Sequence, residues 1–217
     1  MLKLGIIGCG SVMQGPYMEL VNKLVFKKIL QLKTICDVDK KLEKILSKKF
    51  YYNNFVTDYN KILKDKEIDV VLILTSMNEH AKIAKQCLKQ NKHVLVEKPM
   101  ATNLKELNEL YTLAKKSKKY LVAAPFVILS PTFQAIYSEL SKNRIGKVAL
   151  ARARYGWAGP NWGEWYYKTG GGPLFDLGVY NITTLTGLLG PVKNIISKSS
   201  ISKPYRIINR KKIKVKT

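Results

Sequence analysis

The sequence predicts an α/β fold built on a doubly wound parallel sheet over residues 1–122, from three observations. Apolar runs alternate with helical stretches, the linkers between them are short, and the first run ends in a glycine-rich turn. Leu2 to Gly8 is the first run, and Leu32 to Cys36, stopping at Asp37, is the second, with a helical stretch between them. Ile68 to Leu74 and His93 to Val96 are rich in β-branched residues, as expected of strands buried on both faces. Ala81, Ala84 and Leu88 mark the apolar stripe of the helix that joins these two. Asn103 with Glu106 resembles a capping box, after which Leu104, Leu107, Leu110, Tyr111 and Ala114 recur at helical spacing. A further strand, Tyr120 to Phe126, leads out of that layer. Beyond it a turn at Arg144 to Lys147, an aromatic segment from Tyr155 to Tyr167 and the run Gly170-Gly171-Gly172 mark a second domain, residues 123–217.

Composition narrows the class. At 217 residues and 46% apolar content the chain suits two modest globular domains. No apolar run approaches the ~20 residues of a membrane span, so no membrane partner is expected. The opening Met1-Leu2-Lys3 leaves no room for an export signal before the first strand. Cys9, Cys36 and Cys87 are odd in number and unrelated in spacing, which argues against a disulfide framework or a zinc site and for a reducing cytoplasm, with no metal. The net charge of +23 would suit nucleic acid, but only five of the 38 basic residues are arginine. The lysines are scattered along helix faces, as in Lys40-Lys41 and Lys115-Lys116, so the plain reading is a solvated surface that attracts small anions and not nucleic acid.

Two motifs carry chemistry. Gly8-Cys9-Gly10-Ser11-Val12-Met13 lies between a strand and a helix, where glycines let the backbone approach a pyrophosphate and free N–H groups at the helix start bind it. Met13 replaces the third small residue of the usual pattern, so helix-to-strand packing must be managed differently. Asp37, an acid at the end of the second strand, stands where a ribose diol is bound. It would repel a 2′-phosphate and so favours NAD, while Lys40 and Lys41 offset that repulsion and leave NADP open. Glu97-Lys98-Pro99 follows the strand His93 to Val96. A lysine there faces the ligand crevice, can hold a substrate hydroxyl, and exchanges its proton if desolvation lowers its pKa.

These pieces resemble the glucose-fructose oxidoreductase, inositol dehydrogenase and rhizopine-catabolism protein family. The matching stretches are GIIGCGSV at 5–12, Asp37, IDVVLILTSMNEH at 68–80, HVLVEKPMA at 93–101, RIGKV at 144–148 and GGGPLFDLGVY at 170–180. The resemblance implies a Rossmann domain followed by an α+β domain with a mainly antiparallel sheet, which forms the substrate site and often the oligomer contact. It implies an NAD(P)-dependent oxidoreductase exchanging hydride with a sugar, cyclitol or nucleotide-sugar hydroxyl, and a small polyol or sugar as partner. The cofactor-binding set it implies is Gly8, Gly10, Ser11, Val12, Asp37, Thr75, Ser76, His80, Glu97 and Lys98, with His80 near the nicotinamide or simply at a helix start. Lys98 matches the family's catalytic lysine and Asp176 the acid of its DxGxH/Y motif, in which Tyr180 stands where many members have histidine. Tyr180 is then the proton-exchanging group, with Lys98 and Asp176 orienting the substrate.

Trp157, Trp162, Trp165, Tyr166 and Tyr167 offer either a sugar platform or simple packing. Trp165 is followed by Tyr166 where members often carry Trp-Arg, which departs from a cofactor role for that loop. Members are also longer, so the second domain is expected to be incomplete, with Ile213 and Val215 alternating with Lys212, Lys214 and Lys216 in a half-buried strand that lacks partners. Two other readings fit the same residues: a non-catalytic dinucleotide-binding regulator or inactive fragment, and a glycosidase assisted by tightly held NAD.

Overall fold

Six parallel strands make the main sheet of the computed structural model, which describes residues 1–161 and 163–217. The strands are β1 (Leu2–Ile7), β2 (Leu30–Cys36), β3 (Asn54–Val56), β4 (Val70–Ile73), β5 (His93–Val96) and β6 (Leu121–Ala123), in the order β3-β2-β1-β4-β5-β6. The chain winds outward from β1 to β3, then returns to lay β4 against the other side of β1. That reversal is the switch point at which doubly wound sheets open a crevice beyond their carboxyl ends.

The helices of this part are α1 (Met18–Phe26), α2 (Leu42–Leu46), α3 (Asn60–Lys64), α4 (Met77–Lys89) and α5 (Leu104–Ser117). Because successive strand side chains point to opposite faces, β1 and β4 feed two cores at once. Ile7, Val71 and Ile73 pack with Ala81, Ala84, Leu88 and Leu110 on one face. Ile6, Leu72 and Leu74 pack with Met13, Val21, Leu46 and Phe50 on the other. Burial on both faces is why β4 is apolar throughout and β1 is apolar from Leu4 onward, without alternation.

The expectations for the strand after Tyr120 and for the start of α5 need correction, and β3 is a strand for which the sequence raised none. The strand after Tyr120 does not leave the layer: β6 pairs in parallel with β5, Leu121 opposite Val94, and forms the sheet edge. The short β3 gives no periodic signal of its own and takes its conformation from pairing with β2. In α5, Asn103 does cap Glu106 N, at 2.9 Å, but the Glu106 carboxylate reaches Thr102 N, at 3.3 Å, one residue before the cap. The buried stripe of α5 is centred on Leu110. Leu104 and Tyr111 lie roughly 100–120° around the helix from it and are 74% and 59% exposed.

Lys3 and Lys33 both bind Glu67, Lys3 at 2.6 Å, and Lys33 also holds Asp65 at 2.9 Å. The Lys3 ammonium, followed by that of Lys33, brings the Glu67 carboxyl down to about 2 from its usual 4.5. A depressed carboxyl contributes stability that is present above its unfolded pKa and lost as the pH falls through the folded one. Thermal unfolding of Glu67→Gln is therefore expected to show a flatter acid limb than the unaltered chain between pH 4.5 and about 2. Parallel limbs would show that the pair is screened by solvent.

Contacts divide the chain into two compact units, Met1–Ala124 and Pro125–Thr217. The second unit contains α6 (Pro131–Ser141), capped by the Ser130 hydroxyl and started by proline, and α7 (Val179–Leu189). It also contains a hairpin of β7 (Tyr205–Ile208) and β8 (Lys211–Lys214). Asn209 and Arg210, at φ of 48° and 64°, make the two-residue turn that suits antiparallel strands. The expected alternation holds, with Ile213 half-buried, Val215 buried and the three lysines exposed. The expected lack of partners does not, since β8 pairs with β7 along its length. Ile208 and Val215 close a small core with Tyr166 and Tyr167, so these two tyrosines pack and offer no platform, whereas Trp157 is 52% exposed. Trp162 lies outside the described residues. Among the described residues no helix is long and apolar enough to cross a membrane, and no group of three metal-ligating side chains is assembled.

Candidate functional site

Each implied cofactor residue of the first unit sits at or just beyond the carboxyl end of β1, β2, β4 or β5. Gly8 follows β1 with φ at +94°, and a Cβ there would stand 2.7 Å from the Leu74 carbonyl carbon and oxygen and from Thr75 N. The turn after β1 is thus pressed against the turn after β4, which only glycine allows. At Gly10 a Cβ would meet nothing within 4 Å, so the loop crest faces open space. Gly10, Ser11 and Val12 are exposed there, and Gln14 braces the loop from behind, its Nε2 donating to the Cys9 carbonyl at 2.9 Å.

Residues 11–26 are helical, with a π turn at Met13–Tyr17 that contains Pro16. Proline lacks an N–H and strains a regular α turn, and the wider turn relieves both. Met13 is fully buried in the core under the loop, so a flexible side chain fills the space left by a helix that does not approach as closely as a third glycine would permit. Cys9 is also fully buried. Burial, and next the Asp37 carboxylate, push its thiol up to about 12, so it stays protonated and acts as a small apolar filler.

Asp37 ties the second strand to this loop. Its Oδ2 accepts the Cys9 N–H at 2.7 Å and its Oδ1 accepts the Asp39 N–H at 2.9 Å. Each carboxylate oxygen has a second lone pair, so the group retains capacity for a diol while held in place. An open glycine crest, N–H groups at a helix start and a braced acid at the next strand's end fit an adenine dinucleotide in shape and donor set.

Thr75 and Ser76 form the turn into α4, half-buried and exposed respectively. His80 lies one turn further and is 1% exposed. Its Nε2 is 2.9 Å from the Thr75 carbonyl oxygen and its Nδ1 2.8 Å from that of Pro99. Both ring nitrogens face backbone carbonyl oxygens, so His80 stands between the turn after β4 and the turn after β5. Glu97 and Lys98 are half-buried at the end of β5, and the Lys98–Pro99 peptide is cis. The Glu97 carboxylate accepts the Tyr17 hydroxyl at 2.8 Å and the Lys98 amide at 2.9 Å.

In the second unit Asp176 falls in a second π turn, Leu174–Gly178, and Tyr180 is the second residue of α7. They are half-buried and four residues, about one helical turn, apart. Asp176 N donates to the Gly172 carbonyl at 3.0 Å, which anchors the turn to the glycine run. Tyr166 senses this acid: burial first, then the Asp176 carboxylate, raise its phenol to about 12.

The model described as "Oxidoreductase family, NAD-binding Rossmann fold" matches residues 2–124, and that of the GFO/IDH/MocA C-terminal domain matches residues 133–211. The chain belongs to the GFO/IDH/MocA oxidoreductase family. Among its relatives, trans-1,2-dihydrobenzene-1,2-diol dehydrogenase of Danio rerio is 36% identical over 125 residues, 57% of this chain and 37% of the relative. The enzyme of the same name from Sus scrofa is 26% identical over 195 residues, 88% of this chain and 57% of the relative. The match thus spans 37% to 57% of the length of these two relatives. The fold is shared with a levoglucosan dehydrogenase solved with NADH and L-sorbose, at a TM-score of 0.82 and 23% identity over 99% of this chain and 60% of that one. It is also shared with an NAD-binding oxidoreductase from Klebsiella pneumoniae, at 0.79 and 20% over the same shares.

Within this GFO/IDH/MocA frame, sequence reasoning missed Tyr17. A tyrosine at the end of a helical turn reads as one more apolar position, and only the tertiary structure shows its hydroxyl aimed at Glu97. The glycine loop's dependence on Leu74 was likewise invisible, because it is a backbone contact between turns far apart in the chain.

Proposed function

We propose that this chain carries the NAD site and the reacting groups of an oxidoreductase that exchanges hydride with a hydroxyl carbon of a sugar, cyclitol or nucleotide sugar. The reading assigns cofactor binding to residues 1–122 and substrate binding, with a homo-oligomer contact through the sheet, to residues 123–217. One observation carries it: the glycine crest, Asp37 and Lys98 are presented together at the carboxyl ends of β1, β2 and β5, on either side of the switch point.

A bound nicotinamide supplies the hydride acceptor; the protein's part is to hold and move protons. In the proposed roles the Lys98 ammonium donates to the reacting hydroxyl oxygen and favours the developing alkoxide. Tyr180, in its phenolate form, takes the hydroxyl proton and becomes the neutral phenol, and Asp176 orients a neighbouring hydroxyl. Gly8, Gly10, Ser11 and Val12 line the pyrophosphate, Asp37 takes the adenosine ribose, and Thr75 and Ser76 flank the nicotinamide side. The buried cysteines support a cytoplasmic setting, since all three are free thiols.

The test is a fluorescence titration of the full chain with NADH and, separately, NADPH, followed by a screen for polyol oxidation. Saturable NADH binding with weaker NADPH binding is expected, because the Asp37 carboxylate repels a 2′-phosphate. Asp37→Ala is expected to weaken NADH binding about 10-fold to 100-fold, the scale of a lost hydrogen bond to a charged group. Equal binding by the variant would remove Asp37 from the ribose site, and no binding of either dinucleotide by the unaltered chain would overturn the proposal.

A further inference from the structure

We infer that Tyr17 and His80 are positioning residues for Lys98, gripping the Glu97–Pro99 segment from the glycine-loop helix on one side and from α4 on the other. The inference rests on the reading of Lys98 as the group that touches substrate.

Lys98 carries its charge on a flexible stem, so the direction in which that stem leaves the sheet depends on the backbone at its root. That backbone is held at three atoms in succession. Glu97 N donates to the Ile73 carbonyl at 3.0 Å, Lys98 N donates to Glu97 Oε2 at 2.9 Å, and the Pro99 carbonyl oxygen lies 2.8 Å from His80 Nδ1. The first is ordinary sheet pairing. The other two depend on side chains.

The Glu97 carboxylate links two partners. Through Oε1 it accepts from Tyr17, a residue 80 positions away in sequence, and through Oε2 from the amide of Lys98. Tyr17 is 8% exposed and its ring belongs to the apolar cluster under the glycine loop. Packing alone would be served as well by phenylalanine, and burying a hydroxyl is unfavourable unless it is paired. The π turn contributes here. Each residue advances a helix by roughly 100°, so the wider turn changes the register of the residues after it, and Tyr17 closes that turn.

His80 works from the opposite flank. It spans the Thr75 carbonyl, in the turn after β4, and the Pro99 carbonyl, in the turn after β5. A neutral imidazole has one N–H and donates to one of these oxygens, whereas an imidazolium donates to both. Only the imidazolium holds both oxygens at once and so fixes the spacing between the turn after β4 and the turn that carries Lys98; the neutral ring holds one of them. A misplacement of about 1 Å at a reacting group costs on the order of 100-fold in rate, so a grip of this kind is worth its buried polar atoms.

The experiment uses the full chain, with residue-resolved amide exchange by NMR, NADH titration and polyol turnover measured on Tyr17→Phe, His80→Leu and His80→Gln. In Tyr17→Phe the Lys98 amide is expected to exchange about 10-fold faster, the scale of one lost hydrogen bond to a charged acceptor, while Ile7 and Leu72 in the central strands keep their protection. Turnover is expected to fall about 10-fold with the NADH dissociation constant unchanged. His80→Gln, which keeps an N–H donor, is expected to lie between the unaltered chain and His80→Leu in both measurements.

Unchanged Lys98 exchange in Tyr17→Phe overturns the inference. So does a rise shared equally by Ile7 and Leu72, which would mean that the hydroxyl only supports the core. If Lys98 exchange responds locally while the unaltered chain binds NADH and turns over no polyol, the positioning role stands and the proposed function falls.

Discussion

Tyr180→Phe is expected to slow turnover about 100-fold or more while leaving NADH affinity unchanged, the usual cost of removing a general acid/base. The substitution keeps the ring and its packing on α7 and deletes only the hydroxyl. Tyr166 is poorly suited to take over the proton, because burial and the Asp176 carboxylate hold its phenol at about 12. Single-turnover kinetics at saturating polyol separate the outcomes. A loss confined to the hydride step supports the assignment, and an unchanged rate removes Tyr180 from the chemistry. A parallel loss of NADH affinity would show that the variant acts through the fold.

The second large effect is structural. Gly8→Ala is expected to destabilise the first unit by about 3 kcal/mol or more, combining a backbone conformation that L residues avoid with overpacking against a neighbour. Its added carbon would stand 2.7 Å from three backbone atoms of Leu74 and Thr75, and backbone cannot swing aside as a side-chain tip can. Urea unfolding and NADH titration together give the readout. Gly10→Ala is the control, since a methyl there meets nothing within 4 Å. Its stability is expected to be nearly unchanged while NADH binding weakens, because the methyl occupies the space proposed for the pyrophosphate. Equal stability of the two variants would refute the close-approach argument.

The fold class was legible in the sequence because strands buried on both faces leave a simple mark: runs such as Val70–Ile73 and Val94–Val96 have no polar interruption. The glycine turn and Asp37 were legible because their types are dictated by backbone shape and charge. Features set by pairing were not. The strand β3 has little pattern of its own, β6 was directed out of the sheet it belongs to, and β8 was left without the partner that β7 provides. Helix faces were legible only to within a residue or so, which is why Leu104 and Tyr111 were expected on the buried stripe and lie exposed. His80 shows the limit for a site: its position at a helix start did not reveal that its two nitrogens face the carbonyl oxygens of Thr75, in the preceding turn, and of Pro99, 19 residues further on.

The strand order has a consequence for how the site comes into being. Leu4 pairs with Val70 and Ile7 with Ile73, so the central contact of the sheet cannot form until the whole β2–β3 excursion has been bridged. Closing such a long loop is entropically unfavourable before the pairing compensates it, which makes parallel sheets slow to assemble. The Gly8–Leu74 contact and the Tyr17–Glu97 bond both straddle that closure, while the Asp37 bond to Cys9 does not. During folding the ribose side of the crevice can therefore organise early, from β1 and β2 alone. The side that aims Lys98 waits for the last and least local step.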